Sequence, residues 1–112
     1  YGEATGPATT ESLMYADFQI DGQWLAANDS GVEQDFTFNE GISLSVACKD
    51  QAEIDYFWEK LSAYPENEQC GWCKDKFGVS WQIVPENMEE LMQKPGAYKT
   101  MMEQHKIIIE EY

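Results

Sequence analysis

The chain has 112 residues, 43% of them hydrophobic, and a formal net charge of −14. That length suits one domain, able to bury roughly 65% of the surface its unfolded chain exposes. Twenty-one Asp and Glu against seven Lys and Arg leave no basic patch for nucleic acid or an anionic membrane, and no apolar run approaches the roughly 20 residues of a membrane span.

Three cysteines are an odd count and do not suggest a disulfide framework, which points to a reducing, cytoplasmic setting. Residues 1–11, YGEATGPATTE, are rich in Gly, Thr and Pro and read as a loop. Ser12 to Ile20 alternates with period two, with Met14, Ala16, Phe18 and Ile20 on one face. Asp21-Gly22 predicts a type I′ hairpin turn, with Gln23 to Ala27 returning as the partner strand. Asn28 to Asp35 is a polar loop.

Gly41 to Cys48 predicts the next strand, with Ile42, Leu44, Val46 and Cys48 facing one way. Asp50 and Glu53 have capping-box spacing and open a helix running to about Ala63, on which Ile54, Phe57, Trp58 and Leu61 form one apolar stripe. Cys70 to Pro85 then reads as two strands joined by a turn at Asp75-Lys76-Phe77-Gly78. On its second arm Val79, Trp81 and Ile83 alternate with Ser80, Gln82 and Val84. Strand, crossover helix and further strands in this order suit an α+β or split βαβ arrangement. Asn87 and Glu90 are a second capping-box candidate, for a helix ending before Pro95; Pro95 suits the first turn of another. Tyr98, Met101, Met102, His105, Ile108, Ile109 and Tyr112 recur at three- and four-residue steps, which predicts one long helix to the end of the chain.

Two local motifs invite a chemical reading. Cys70-Gly71-Trp72-Cys73 has the redox CxxC spacing, but on a strand residues three apart point to opposite faces, so the two sulfurs should not meet and should only pack. His105 is the one histidine; it falls on the apolar stripe of the last helix, with no nucleophile at recognisable spacing, and is expected to pack.

The segments FNEGISLSV, DYFWEKL and QCGWCKDKFGVSWQIVP resemble the PhnB-like, or 3-demethylubiquinone-9 3-methyltransferase-like, branch of the vicinal oxygen chelate superfamily of glyoxalases, bleomycin-resistance proteins and dioxygenases. The resemblance runs from Tyr1 to about Gln93. It implies paired βαβββ modules with a mixed curved sheet: a partial first module at 1–35, a second at 36–85, and C-terminal helices at 86–112. In that family YGE ends the third element of the first module, which implies a strand, a helix and most of another strand ahead of Tyr1.

Carried over by position, the superfamily's metal ligands fall on Gly41, Gln82 and Ala26, with a fourth ahead of Tyr1. A missing side chain, a neutral amide and a methyl are a poor donor set, so no metal and no cofactor is expected. Nor does the chain show the glycine-rich βα turn that S-adenosylmethionine sites usually need. The concave sheet face of such a fold makes a cleft. Asn28, Asn39, Trp72, Ser80 and Gln82 are the expected lining of a small-molecule site there, while Trp58 and Trp81 pattern as core. The reading is a PhnB-like domain that binds a small molecule, with no identifiable catalytic residue. The alternatives are a metal-dependent lyase or dioxygenase relative with ligands outside this chain, and a purely structural dimerisation module. A homodimer is expected, built on the 12–27 hairpin and the last helix.

Overall fold

A computed structural model describes residues 1–112, which divide into two compact units, Tyr1–Thr37 and Phe38–Tyr112. The class is α+β.

The first unit is built on one hairpin. Strand β1 (Ala16–Ile20) pairs antiparallel with β2 (Gln23–Ala27), Phe18 opposite Leu25 and Gln19 opposite Trp24. Asp21 and Gly22 both have positive φ, 48° and 81°, as a two-residue type I′ turn requires. Gly lacks the Cβ that penalises this conformation, and Asp tolerates it. The strand starts at Ala16 rather than Ser12. Leu13 instead anchors the loop that follows β2: its N–H donates to Asp29 Oδ2 at 2.7 Å, and its carbonyl accepts from Asp29 N–H at 2.8 Å.

The second unit holds a three-stranded sheet in the order β3 (Ser43–Cys48), β5 (Ser80–Pro85), β4 (Trp72–Lys74). β5 is central, parallel to β3 and antiparallel to β4. Helix α1 (Gln51–Leu61) crosses between β3 and β4 and covers one face. Its start is the expected capping arrangement: Asp50 Oδ1 accepts from Glu53 N–H at 2.9 Å. Glu53 reaches back to Lys49 N–H at 3.3 Å rather than to the N–H of the cap itself. Ile54, on the predicted stripe, is fully buried with Ile83, Cys48, Cys73 and Pro85. Ile42 lies ahead of the strand and is 71% exposed, so the inward row is Leu44, Val46 and Cys48 only.

Two turns shape the β4–β5 arm. At Asp75 to Gly78, Gly78 N–H bonds Asp75 O at 3.0 Å and Gly78 sits at φ 91°, the three-residue hairpin with a left-handed glycine. The other turn lies inside the stretch read as strand. Cys70 (φ 51°) and Gly71 (φ 86°) form a type I′ turn closed by Gln69 and Trp72, which exchange N–H to O bonds of 3.0 and 2.7 Å. Cys70 is therefore on a turn and not on β4. All three cysteines are free.

The C-terminal segment corrects the long-helix expectation. Short α2 (Met88–Leu91) follows Asn87 without a side-chain cap bond, so the second capping box does not form. Helix α3 (Ala97–Glu103) starts after Gly96 and stops at Gln104, whose backbone is extended. From there the chain runs back beside the Cys70-Gly71 turn: Cys70 N–H donates to Gln104 O and Gly71 N–H to His105 O, both at 2.8 Å. Ile107, which no helical stripe includes, is fully buried, and His105 is exposed. A helix cannot deliver both results, because extension at Gln104 shifts the inward phase by part of a turn. Three consecutive β-branched residues, Ile107 to Ile109, also weaken any helix there. Gln51 fixes the new path with both ends of its amide, Nε2 donating to Ile107 O at 2.9 Å and Oε1 accepting from Ile109 N–H at 2.8 Å.

Candidate functional site

Strand register decides which side chains share the face of the second sheet away from α1. Residues directly opposite each other point the same way. Ser43, Ser45 and Ala47 of β3 thus align with Ser80, Gln82 and Val84 of β5, and Lys74 and Trp72 of β4 align with Ser80 and Gln82. A strip of hydroxyl, amide and indole, Ser45–Gln82–Trp72, crosses all three strands. Gln82 Nε2 donates to Ser43 Oγ at 2.9 Å, which orients its amide. Lys74 Nζ stands 2.7 Å from Glu40 Oε1. The hydrogen bond from Lys74 holds the Glu40 carboxyl below its usual range, followed by its own backbone N–H and the charge of Lys74.

Three of the expected cleft residues, Trp72, Ser80 and Gln82, therefore share one face. Ser80 is buried, and Trp72 and Gln82 are half-exposed. Asn39 is spent locally, its Oδ1 accepting from Gly41 N–H at 2.7 Å. Asn28 belongs to the first unit and donates to the neighbouring Asp29 carbonyl at 3.3 Å. Sequence reasoning gave neither Ser45 nor Lys74 as a site residue: alternation sets Ser45 opposite the Leu44–Val46–Cys48 row, and only the parallel pairing of β3 with β5 brings it beside Gln82.

A cavity of about 770 Å³ lies elsewhere, where α1 begins, lined by Lys49, Asp50, Asp55, Glu86, Lys106 and Glu110 among others. None of the five expected site residues lines it. Lys106 Nζ pairs with Asp55 Oδ1 there at 2.8 Å, and that hydrogen bond, with one from Gln51, lowers the Asp55 carboxyl.

The one histidine is bonded to backbone and not to a hydroxyl or thiol. His105 Nδ1 is 2.7 Å from the carbonyl oxygen of Glu68, an acceptor, so this nitrogen carries the proton. Asp75, read from the sequence only as a turn residue, is buried: Oδ1 accepts from the N–H groups of Phe77 (2.9 Å) and Val79 (3.0 Å), and Oδ2 from the Trp81 indole at 2.8 Å. Its capacity goes to holding the hairpin. No group of three or more His, Cys, Asp or Glu side chains converges in a metal-holding arrangement.

Burial pushes the Cys48 and Cys73 thiols up to about 11, helped at Cys48 by Glu53 and Asp50 and at Cys73 by Glu68 and Asp75. Only the thiolate attacks disulfide reagents. Under native conditions at neutral pH a chromogenic disulfide should therefore label Cys70 quickly and the other two only after denaturation. Rapid labelling of three thiols in folded protein would contradict this burial. Linkage gives the pH dependence. Between the ordinary thiol value near 9 and the folded value near 11, the folded state keeps protons that the unfolded state releases. The stability these thiols carry is thus complete below pH 9 and is lost as pH rises towards 11, a slope that Ser at both positions should flatten in urea titrations across that window.

The family model of 3-demethylubiquinone-9 3-methyltransferase matches residues 1–84. A solved structure of a PhnB protein from Bacillus cereus, which carries the same methyltransferase description, shares 36% identity over 70% of each chain, with a TM-score of 0.59. No curated protein matches the chain. A matched family model over most of the chain, with a PhnB protein of the same fold at that identity, places the chain in the PhnB-like 3-demethylubiquinone-9 3-methyltransferase family.

Proposed function

We propose that this PhnB-like domain binds a small, ring-bearing molecule against the polar face of its three-stranded sheet and does no chemistry on it with its own side chains. The observation that carries the reading is the Ser45–Gln82–Trp72 strip, an aromatic platform beside one oriented amide and a row of hydroxyls. That is the composition of small-molecule sites, where a flat surface supplies area and a few polar groups set orientation. Methyl transfer from S-adenosylmethionine draws on a glycine-rich turn between a strand and the helix after it. Between β3 and α1 that turn is Lys49-Asp50.

A screen of phenolic and heteroaromatic fragments by thermal shift tests the reading, since a ligand that binds only the folded state raises the midpoint. Fragments that stabilise the wild type should lose their effect in Trp72→Ala and weaken in Gln82→Ala. Stabilisation that survives both substitutions would refute the assignment.

A second copy of the chain is the proposed partner. In the first unit Trp24 is 70% and Phe18 41% exposed, and β1–β2 forms a two-stranded sheet on its own. Such a ribbon is marginal in water, and its open edges are templates for pairing. Phe18 and Trp24 point to opposite faces of the ribbon, and a two-fold contact through these strands pairs an open edge and covers one of the two aromatics. Light scattering is expected to show a dimer in the wild type and a monomer in the F18E/W24E double variant. A monomeric wild type at high micromolar concentration would end the proposal.

A further inference from the structure

The Cys70-Gly71 turn and the end of α3 bring two sulfurs together on the surface of the second unit. Cys70 Sγ lies 3.7 Å from Met102 Sδ. Neither is deeply buried; Met102 is 45% exposed. The segments that carry them are joined at two points. Gln69 Nε2 donates to Met102 O at 2.8 Å, and Cys70 N–H donates to Gln104 O at 2.8 Å. Gln69 Nε2 also lies 3.2 Å from Cys70 Sγ, as a donor to the sulfur. The type I′ geometry of Cys70 and the C-cap of α3 thus hold a thiol and a thioether face to face, 32 residues apart in sequence.

We propose that Cys70 and Met102 form a binding site for a soft monovalent cation, Cu(I). Thiolate and thioether are soft donors of the kind Cu(I) takes, whereas Zn(II) is held by Cys, His and carboxylate side chains, four of them in structural sites. Two sulfurs each about 2.3 Å from one ion, set at a trigonal angle, stand about 4 Å apart. The observed 3.7 Å needs only a small side-chain adjustment to reach that spacing. The third position faces solvent and is open to a small thiol or another exchangeable donor. On binding, the Cys70 S–H bond breaks, its proton passes to solvent, and a sulfur–copper bond forms. The copper stays Cu(I), so no electron is transferred. Cys48 and Cys73 do not compete, because both are buried and protonated well above neutral pH.

The test is anaerobic titration of the full chain against the coloured Cu(I)–bicinchoninate complex, with ascorbate present. The wild type is expected to withdraw about one Cu(I) per chain. C70S should withdraw none, and M102L should bind at least tenfold more weakly, each with an unchanged circular dichroism spectrum. Zn(II) offered to the wild type should not be retained on a desalting column. Uptake by C70S equal to the wild type, M102L as tight as the wild type, or retention of Zn(II) would each overturn the proposal. Met102 is exposed at the end of its helix, so M102L decides the matter even if C70S fails to fold.

Discussion

Asp75→Ala is expected to lower the stability of the second unit by about 3 kcal/mol: the carboxylate accepts three hydrogen bonds, each contributing about 1.5–3 kcal/mol, and water makes good much of the loss at two of them. The losses differ in kind. Phe77 is exposed, so its freed N–H can turn to water, and Val79 can do so in part. The Trp81 indole N–H cannot, because Trp81 is buried in the central strand. A buried donor left unpaired carries its full desolvation penalty. For a unit of this size each kcal/mol shifts the midpoint by about 4–8 °C, so a drop of roughly 12 °C or more should appear in a melt followed by tryptophan fluorescence. Asp75→Asn should lose about half as much: its oxygen can still serve the turn, but its NH2 then faces the indole donor. A midpoint for Asp75→Ala within 2 or 3 °C of the wild type, on the order of half a kcal/mol, would show that water replaces the carboxylate and that the hairpin does not depend on it.

The second large effect is expected at Ile107. Its side chain is fully buried, together with Ile54 and Ile83. Truncation to Ala should cost about 3 kcal/mol, the middle of the range for removing a buried Ile side chain and leaving a cavity. Ile108→Ala and Ile109→Ala, at half-buried positions, should each cost about 1 kcal/mol, in line with smaller losses of buried area. Urea midpoints for the three variants give the order directly. A continuous helix over 98–112 predicts the reverse order, with Ile108 and Ile109 inside and Ile107 outside. If Ile107→Ala proves the mildest of the three, the extended path after Gln104 is wrong.

Local signals with a single physical solution were legible in the sequence. Asp21-Gly22 could only be a primed turn, and the Asp50–Glu53 spacing opened a helix whose stripe buries Ile54. Alternation along 79–84 placed Ile83 and Trp81 inside and put Gln82 on the other face with Ser80. What stayed hidden depended on partners distant in sequence. The 98–112 periodicity was real but short-lived, because Gln104 leaves helical geometry to bond the Cys70 turn. Cys70-Gly71 lacks the Asn or Asp that usually marks a type I′ turn, so a hairpin was read as a strand. Asp75 looked like one of many turn aspartates, since nothing local reveals that Trp81, six residues on, points its N–H at it. The site was half legible for the same reason: Trp72, Ser80 and Gln82 follow from one hairpin's alternation, whereas Ser45 joins them only through the parallel pairing of β3 with β5.

The amide of Gln51 has a consequence for the order in which the protein is made. Its two bonds join the first turn of α1 to backbone 56 and 58 residues further on. Ile107, between those contacts, is fully buried, as are Ile54 and Ile83, and its side chain stands against the Gly71 turn. During synthesis α1, β4 and β5 leave the ribosome first and can assemble, but Ile107 and the backbone that Gln51 holds are missing until residues 107–109 emerge. At about 5–20 residues per second, the stretch from Pro85 to Ile109 takes on the order of seconds to add. For that time the nascent chain carries a sheet and a helix with an open seam, and a ribosome stalled at that length should show Cys48 and Cys73 to a thiol reagent that cannot reach them in the finished protein.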